Sequence, residues 1–251
     1  MWQHAPVISA LRARIQDALT PTRQPPVLNP VLLMASRLLF LPLAYGPLRF
    51  RRFNASRVPR RGATIIVCNH VSFVDPLLIG VAIRPRRAYM MAKSELFRSK
   101  PLAWWISRTG GFPVERGTPD RESLRTARQL LKDGECLLVF PEGGVSREGI
   151  MRPGFPGAGA LALQPGVTVI PAAIWNTQLL RGPVRIRFGE PIPMEDIRTG
   201  PKAGRNQRAT ERIMSALTAL VPTVGGPVQP VPTGEPWIPA PRADGKGSIR
   251  S

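Results

Sequence analysis

Histidine, cysteine, tyrosine and acidic side chains are all scarce in this chain, and each shortage narrows what it can be. Two cysteines in 251 residues, with no C-x-x-C pair, exclude a thiolate zinc cage and argue against a disulfide framework. Cys68 and Cys136 both fall in apolar runs, and buried free thiols suit a reducing compartment. Only two tyrosines and no aromatic-rich strand pattern leave no stacking platform of the kind RNA-binding sheets use. Long apolar runs are missing too. The longest candidate, residues 31–50, contains Arg37 and Pro42, which disfavours a clean membrane-spanning helix. No compact apolar region followed by a small-residue cleavage site opens the chain. Of the two histidines, His4 lies in an irregular N-terminus, so imidazole chemistry has one well-placed candidate, His70.

Positive charge is what the chain has in excess. Thirty-five basic residues face 16 acidic ones, for a net charge of +19. Thirty of the basic residues are arginine and only five are lysine. Residues 1–61 hold ten arginines and one aspartate. Arginine's fork of donors matches phosphate, so anionic lipid and nucleic acid are the partners such a face suits. No zinc-finger spacing appears, and the N-terminal arginines interleave with Leu, Val and Phe. That mixture favours a membrane surface.

Three zones follow along the chain. Residues 1–61 read as a basic amphipathic helical segment that associates with membrane. Within it, Val7, Ile8, Leu11, Ile15 and Leu19 recur at helical spacing. Residues 31–50 suit a monotopic helix or a helical hairpin broken at Pro42, with a helix packed on the domain core as the alternative. Residues 62–221 read as an α/β domain with strands at 64–68, 136–140, 168–174 and 184–188. Helices are expected over 76–83, 121–132 and 204–220. Runs apolar on both faces, such as 136–140, suit strands covered on both sides. Residues 222–251, rich in Pro and Gly, predict a disordered tail.

The chemistry gathers at three loops. Asn69-His70 ends an apolar run and Asp75 follows five positions later. A base and a carboxylate at a strand end can deprotonate a hydroxyl, the carboxylate fixing the imidazole tautomer. Asp75 also precedes Pro76 at a helix start, so it is equally placed to serve as an N-cap. No G-x-S-x-G elbow exists, which disfavours a serine hydrolase. Ser72 is a possible nucleophile, and a hydroxyl on a bound substrate is the simpler target. Gly110-Gly111-Phe112 with Arg116, and Pro141-Glu142-Gly143-Gly144 with Arg147, are glycine-bearing loops beside arginines. Such loops can approach an anion, although most are simply turns.

In order, four blocks resemble those of the glycerolipid acyltransferases, specifically the 1-acyl-sn-glycerol-3-phosphate and related lysophospholipid acyltransferases. They are Asn69-His70-x-x-x-x-Asp75, Gly111-Phe112-x-x-x-Arg116, Phe140-Pro141-Glu142-Gly143 and Val169-Ile170-Pro171. The likeness spans about residues 60–220. One departure stands in the third block, where the family usually continues Glu-Gly-Thr-Arg. Here Glu142-Gly143 is followed by Gly144-Val145-Ser146-Arg147, so Val145 occupies the usual arginine position.

The resemblance implies an α/β fold: a single acyltransferase domain with a mixed, mostly parallel sheet flanked by helices, behind an N-terminal docking segment. It implies acyl transfer from acyl-CoA or an acyl carrier protein to the free hydroxyl of a lysophospholipid. The first candidate acceptor is 1-acyl-sn-glycerol-3-phosphate, giving phosphatidic acid. Glycerol 3-phosphate, another lysophospholipid or a glycolipid are alternative acceptors. A non-catalytic basic membrane- or nucleic-acid-binding protein on the same scaffold is the alternative class. On the enzymatic reading His70 is the general base and Asp75 orients it. Arg116, the Glu142-Gly143 loop and Arg147 hold the acceptor phosphate, Phe112 packs beside the acceptor and Asn69 braces the loop. Glu142, itself anionic, orients an arginine or a substrate hydroxyl. A thioester is already reactive, so neither metal nor cofactor is expected. The expected partners are an anionic membrane surface, the lysolipid and the acyl donor, without nucleic acid. The expected location is the cytoplasmic face of the cell membrane, peripheral or monotopic.

Overall fold

The apolar runs become strands buried on both faces, and they order the rest of the chain. The computed structural model describes residues 26–115, 120–179 and 183–236. Seven strands form one sheet: β1 (Arg51–Phe53), β2 (Thr64–Cys68), β3 (Tyr89–Lys93), β4 (Gly111–Val114), β5 (Cys136–Val139), β6 (Thr168–Trp175) and β7 (Arg185–Phe188). Their spatial order is β1-β7-β6-β2-β5-β3-β4. The five strands from β6 to β4 are mutually parallel. β7 runs antiparallel to β6, and β1 is parallel to β7, so the sheet is mixed and mostly parallel. The helices are α1 (Pro30–Tyr45), α2 (Asp75–Ala82), α3 (Lys100–Arg108), α4 (Arg121–Lys132), α5 (Pro156–Ala162), α6 (Glu195–Thr199) and α7 (Arg205–Leu220).

Successive strand residues face opposite sides and divide the interior into two cores. Ile65, Val67, Leu137 and Val139 join Leu161, Ile213 and Leu217 on the α5 and α7 side. Ile66, Cys68, Leu138 and Ile174 join Leu78 and Ile79 of α2 and Ala44 of α1 on the other. A proline inside β6 is tolerated for a local reason. The Pro171 carbonyl accepts from Gly189 on the β7 side, so its nitrogen faces that side too. The β6–β7 ladder begins only at Ala172, and no strand N–H is missed there. The helix expected over 121–132 forms, with Asp120 accepting from the amides of Glu122 and Ser123 as its N-cap.

Several expectations need correction. The sheet starts before residue 62: β1 lies inside the segment expected to be separate and pairs with β7. The strands β3 and β4 were not expected. β3 (YMMAK) is only half-buried and has no β-branched residue, and β4 (GFPV) carries a glycine and a proline, so neither has the β-branched pattern of a strand. The helix of residues 31–50 runs through Pro42 to Tyr45. One backbone bond is lost there, and its acceptor would be the carbonyl of exposed Leu38. Part of the C-terminal segment is packed. Val224 is buried, and the Gln229 side chain accepts from the Met151 amide. The helix expected at residues 6–20 and the tail beyond residue 236 lie outside the described residues.

Gly159 shows how tightly α5 meets α7. A Cβ there would lie 2.0 Å from the Asn206 carbonyl oxygen, a backbone atom that cannot swing away. Gly159→Ala is expected to cost about 2–3 kcal/mol by overpacking, lowering Tm by about 5–10 °C in a thermal melt.

Candidate active site

The site forms at the carboxyl ends of three adjacent central strands, β6, β2 and β5. Open α/β sheets present ligand-binding loops at this end. Asn69 and His70 follow β2. Asn69 repeats a strand-like exchange across to β6, donating to the Ile174 carbonyl at 3.0 Å and accepting from its amide at 2.9 Å. This locks the end of β2 and sets the direction of His70.

Asp75 is fully buried and is the first residue of α2, with Val74 in the cap position and no side-chain capping bond. Its carboxylate turns toward the preceding loop instead. Oδ2 lies 2.9 Å from His70 Nδ1 and accepts from the amides of Val71 and Ser72, each at 2.8 Å. Oδ1 accepts from Thr177 Oγ1 at 2.5 Å. The capping alternative therefore falls. Because a carboxylate accepts, the hydrogen-bond network assigns the imidazole proton to Nδ1, leaving the Nε2 lone pair free. No described residue hydrogen-bonds Nε2. His70 is 5% exposed, and its ring stacks on Phe140 at a centroid distance of 4.0 Å.

Two backbone amides take up the Glu142 carboxylate, and the charge of Arg152 acts on it as well. Oε1 accepts from His70 N at 3.2 Å, and Oε2 from Arg152 N at 3.0 Å. Burial, reinforced by the charge of Asp75, raises its pKa from the usual carboxylate range to about 7, against the pull of both amides and of the Arg152 charge. Gly143 has φ +68, and a Cβ there would lie 2.5 Å from the Phe155 ring, so glycine is required. The loop then returns to the site, where Ser146 N donates to the His70 carbonyl at 2.7 Å. Burial and the charges of Asp75 and Glu142 push the Cys68 thiol well above its ordinary pKa, which makes it a poor nucleophile.

Of the residues expected in the site, Asn69, His70, Asp75, Glu142 and Gly143 come together. Arg147 is exposed on the same rim, its guanidinium 5.9 Å from the Phe73 ring centre. Phe112 is buried on β4, three strands from β2, or roughly 14 Å by strand spacing. There it lines a cavity of about 170 Å³ with Ser94 and Phe97. Arg116 lies outside the described residues. Thr177 and the stacking face of Phe140 were missed. Phe140 belongs to a quoted block, whereas Thr177 carries no motif and is recruited across 102 positions of sequence. Among the described residues no group of three His, Cys, Asp or Glu is arranged to hold a metal ion.

The model of the acyltransferase family matches residues 49–175, just over half of the chain. The chain belongs to the acyltransferase family. It is 30% identical over 173 residues to a 1-acyl-sn-glycerol-3-phosphate acyltransferase of Bacillus subtilis, covering 67% of this chain and 86% of that one. A Streptococcus pneumoniae protein of the same name is 30% identical over 152 residues, 58% of this chain and 56% of that protein. A lyso-ornithine lipid O-acyltransferase of Pseudomonas aeruginosa is 31% identical over 185 residues, 62% of this chain and 70% of that one. The crystal structure of the 1-acyl-sn-glycerophosphate (LPA) acyltransferase PlsC from Thermotoga maritima shares the fold. Its TM-score is 0.58 at 23% identity, over 75% of this chain and 78% of that one.

Glu142 makes stability depend on pH. Its folded pKa is raised, so the stability it contributes is fully present below the unfolded value of 4.5 and is lost as pH rises through about 7. Urea unfolding of the native protein should therefore lose on the order of 3 kcal/mol relative to Glu142→Gln between pH 4.5 and 8. Parallel curves for the two proteins would contradict that environment.

Proposed function

We propose that this acyltransferase acylates the free hydroxyl of a lysophospholipid, with His70 as general base and 1-acyl-sn-glycerol-3-phosphate as the acceptor. The observation that carries the reading is the buried His70–Asp75 pair, 2.9 Å apart, whose outer imidazole nitrogen is free. The names of the Bacillus and Streptococcus relatives support this acceptor class.

The acceptor hydroxyl gives its proton to His70 Nε2 as its oxygen bonds to the thioester carbonyl carbon. Asp75 stabilises the resulting imidazolium through Nδ1–H. Collapse of the tetrahedral intermediate breaks the C–S bond, and the departing thiolate takes the proton back from Nε2. Atoms and charge balance, and the imidazole returns to its starting tautomer. Acyl-CoA and acyl carrier protein both supply a suitable thioester. Arg116 and Arg147 are the side chains assigned to the acceptor phosphate. The variation at Val145 favours a second reading, a lysolipid with another headgroup, which the name of the Pseudomonas relative also supports.

A bilayer-borne acceptor suits the outside of α1. Val31, Met34, Leu38 and Leu39 are 76%, 51%, 56% and 75% exposed, an unusual cost for apolar side chains in water. No described helix is long and apolar enough to cross a membrane, so α1 lies in the interface in this reading. Buried Arg37 donates to the Arg86 carbonyl at 2.7 Å and fastens α1 to the domain.

His70→Ala is expected to lower acyl transfer to lysophosphatidic acid by about 10³-fold, measured by mass of the product, with Tm nearly unchanged. Normal turnover in that variant would refute the general-base role. Met34→Glu with Leu39→Glu should weaken binding to anionic vesicles in a flotation assay at least about tenfold, while water-soluble short-chain lysolipid is still acylated.

A further inference from the structure

Resting on the acyl-transfer reading, we propose that Arg51, Arg185 and Arg187 hold the phosphate of the acyl donor's phosphopantetheine arm. β7 runs antiparallel to β6, so its first residue, Arg185, pairs with Trp175 at the last position of β6. That is the end of the sheet where His70 sits. β1 pairs with β7 in parallel, bringing Arg51 directly opposite Arg185 and Phe53 opposite Arg187.

Like charges directly opposite on neighbouring strands repel. No carboxylate among the described residues forms an ion pair with Arg51, Arg185 or Arg187. By contrast, the Arg57–Glu190, Arg198–Glu195 and Arg212–Asp196 pairs satisfy other arginines. Arg187 lies 4.8 Å over the Phe53 ring, and its buried Nε has no hydrogen-bond partner among the described residues. An anion between the strands would relieve the repulsion and take up these donors.

The face on which the arginines lie selects the partner. Ile186 and Phe188 point into the core beneath α1 and α2, and Arg52 donates to the Ala82 carbonyl at the end of α2. Arg51, Arg185 and Arg187 alternate with these residues and occupy the opposite face. A bilayer lying along the outer side of α1 is therefore on the wrong side of the sheet to meet them. β7 and β1 are two and three strands from β2, roughly 10–14 Å along the sheet by strand spacing, and because His70 turns toward α2 the way from it to the arginines runs over the carboxyl ends of the strands. A donor whose thioester reaches His70 and whose phosphate lies at the end of a long flexible arm spans that gap. Coenzyme A and acyl carrier protein share this chemistry.

The test is a donor series on Arg51→Glu/Arg185→Glu and the milder Arg51→Gln/Arg185→Gln, which guards against a folding defect. Donors are palmitoyl-CoA, palmitoyl carrier protein and the palmitoyl thioester of N-acetylcysteamine, which lacks the phosphate. KM for the phosphate-bearing donors should rise about tenfold or more in the Glu pair and less in the Gln pair, with kcat retained. Rates with the N-acetylcysteamine thioester and binding to anionic vesicles should not change. An effect confined to the CoA ester or to the carrier ester supports the proposal and names the source. Equal loss with all three donors, an unchanged donor KM, or loss of vesicle binding instead would overturn it. If the wild-type protein transfers from no donor, the acyl-transfer reading fails, and coenzyme A binding followed by tryptophan fluorescence decides the patch. Weakened binding in the Glu pair supports it and equal binding refutes it.

Discussion

One buried carboxylate organises the functional end of this molecule. Asp75 accepts from His70 Nδ1, from two successive amides of the loop between them, and from Thr177 beyond β6. These donors come from separate pieces of chain, so a single side chain sets the loop, the imidazole tautomer and the junction with the strand beyond. Burying a carboxylate is costly unless its oxygens are satisfied, and here each oxygen has at least one donor. The same bonds that make burial tolerable aim the imidazole.

A second carboxylate does complementary work from the neighbouring strand. Glu142 binds the backbone of His70 on one side and that of Arg152 on the other, tying the end of β2 to the loop after β5. Asn69 performs the same service toward β6 with an amide. His70 is thus held through its ring by Asp75 and Phe140, and through its backbone by Glu142 and Ser146. Preorganisation of this kind removes reorganisation cost from a proton transfer. It also explains why two quoted blocks far apart in the sequence, at 69–75 and 140–143, meet at one place: each follows the end of a central parallel strand.

The molecule divides its apolar surface unevenly. The two faces of the sheet are buried beneath helices, while α1 keeps one side against the domain and leaves the other bare. The arginines at the β1–β7 edge lie on the opposite face of the sheet from α1. The bare side of α1 and these three arginines are therefore separated by the thickness of the sheet.

Several features were legible from the sequence because their physics is local. The runs at 64–68 and 136–139 are apolar on both faces and can be little else than covered strands. Residues 121–132 carry their own cap and amphipathic spacing. The His70–Asp75 spacing, with its companion blocks, pointed to the family and to the candidate site. Other features depended on distant partners. β1 is three residues of Arg-Arg-Phe, with no strand pattern of its own, and exists because β7 offers it an edge. The role of Asp75 as an orienting group rather than a cap was decided by donors from the loop and from Thr177, which only folding brings near. Glu142 looked fit to steer an arginine, and its amide partners appeared only once β2 and β5 were side by side. Local patterning therefore determined which segments form strands and helices, and which residues carry chemistry. Tertiary structure decided their partners, because hydrogen bonds and charges act over a few ångströms while the groups that make them around His70 lie as much as 105 residues apart.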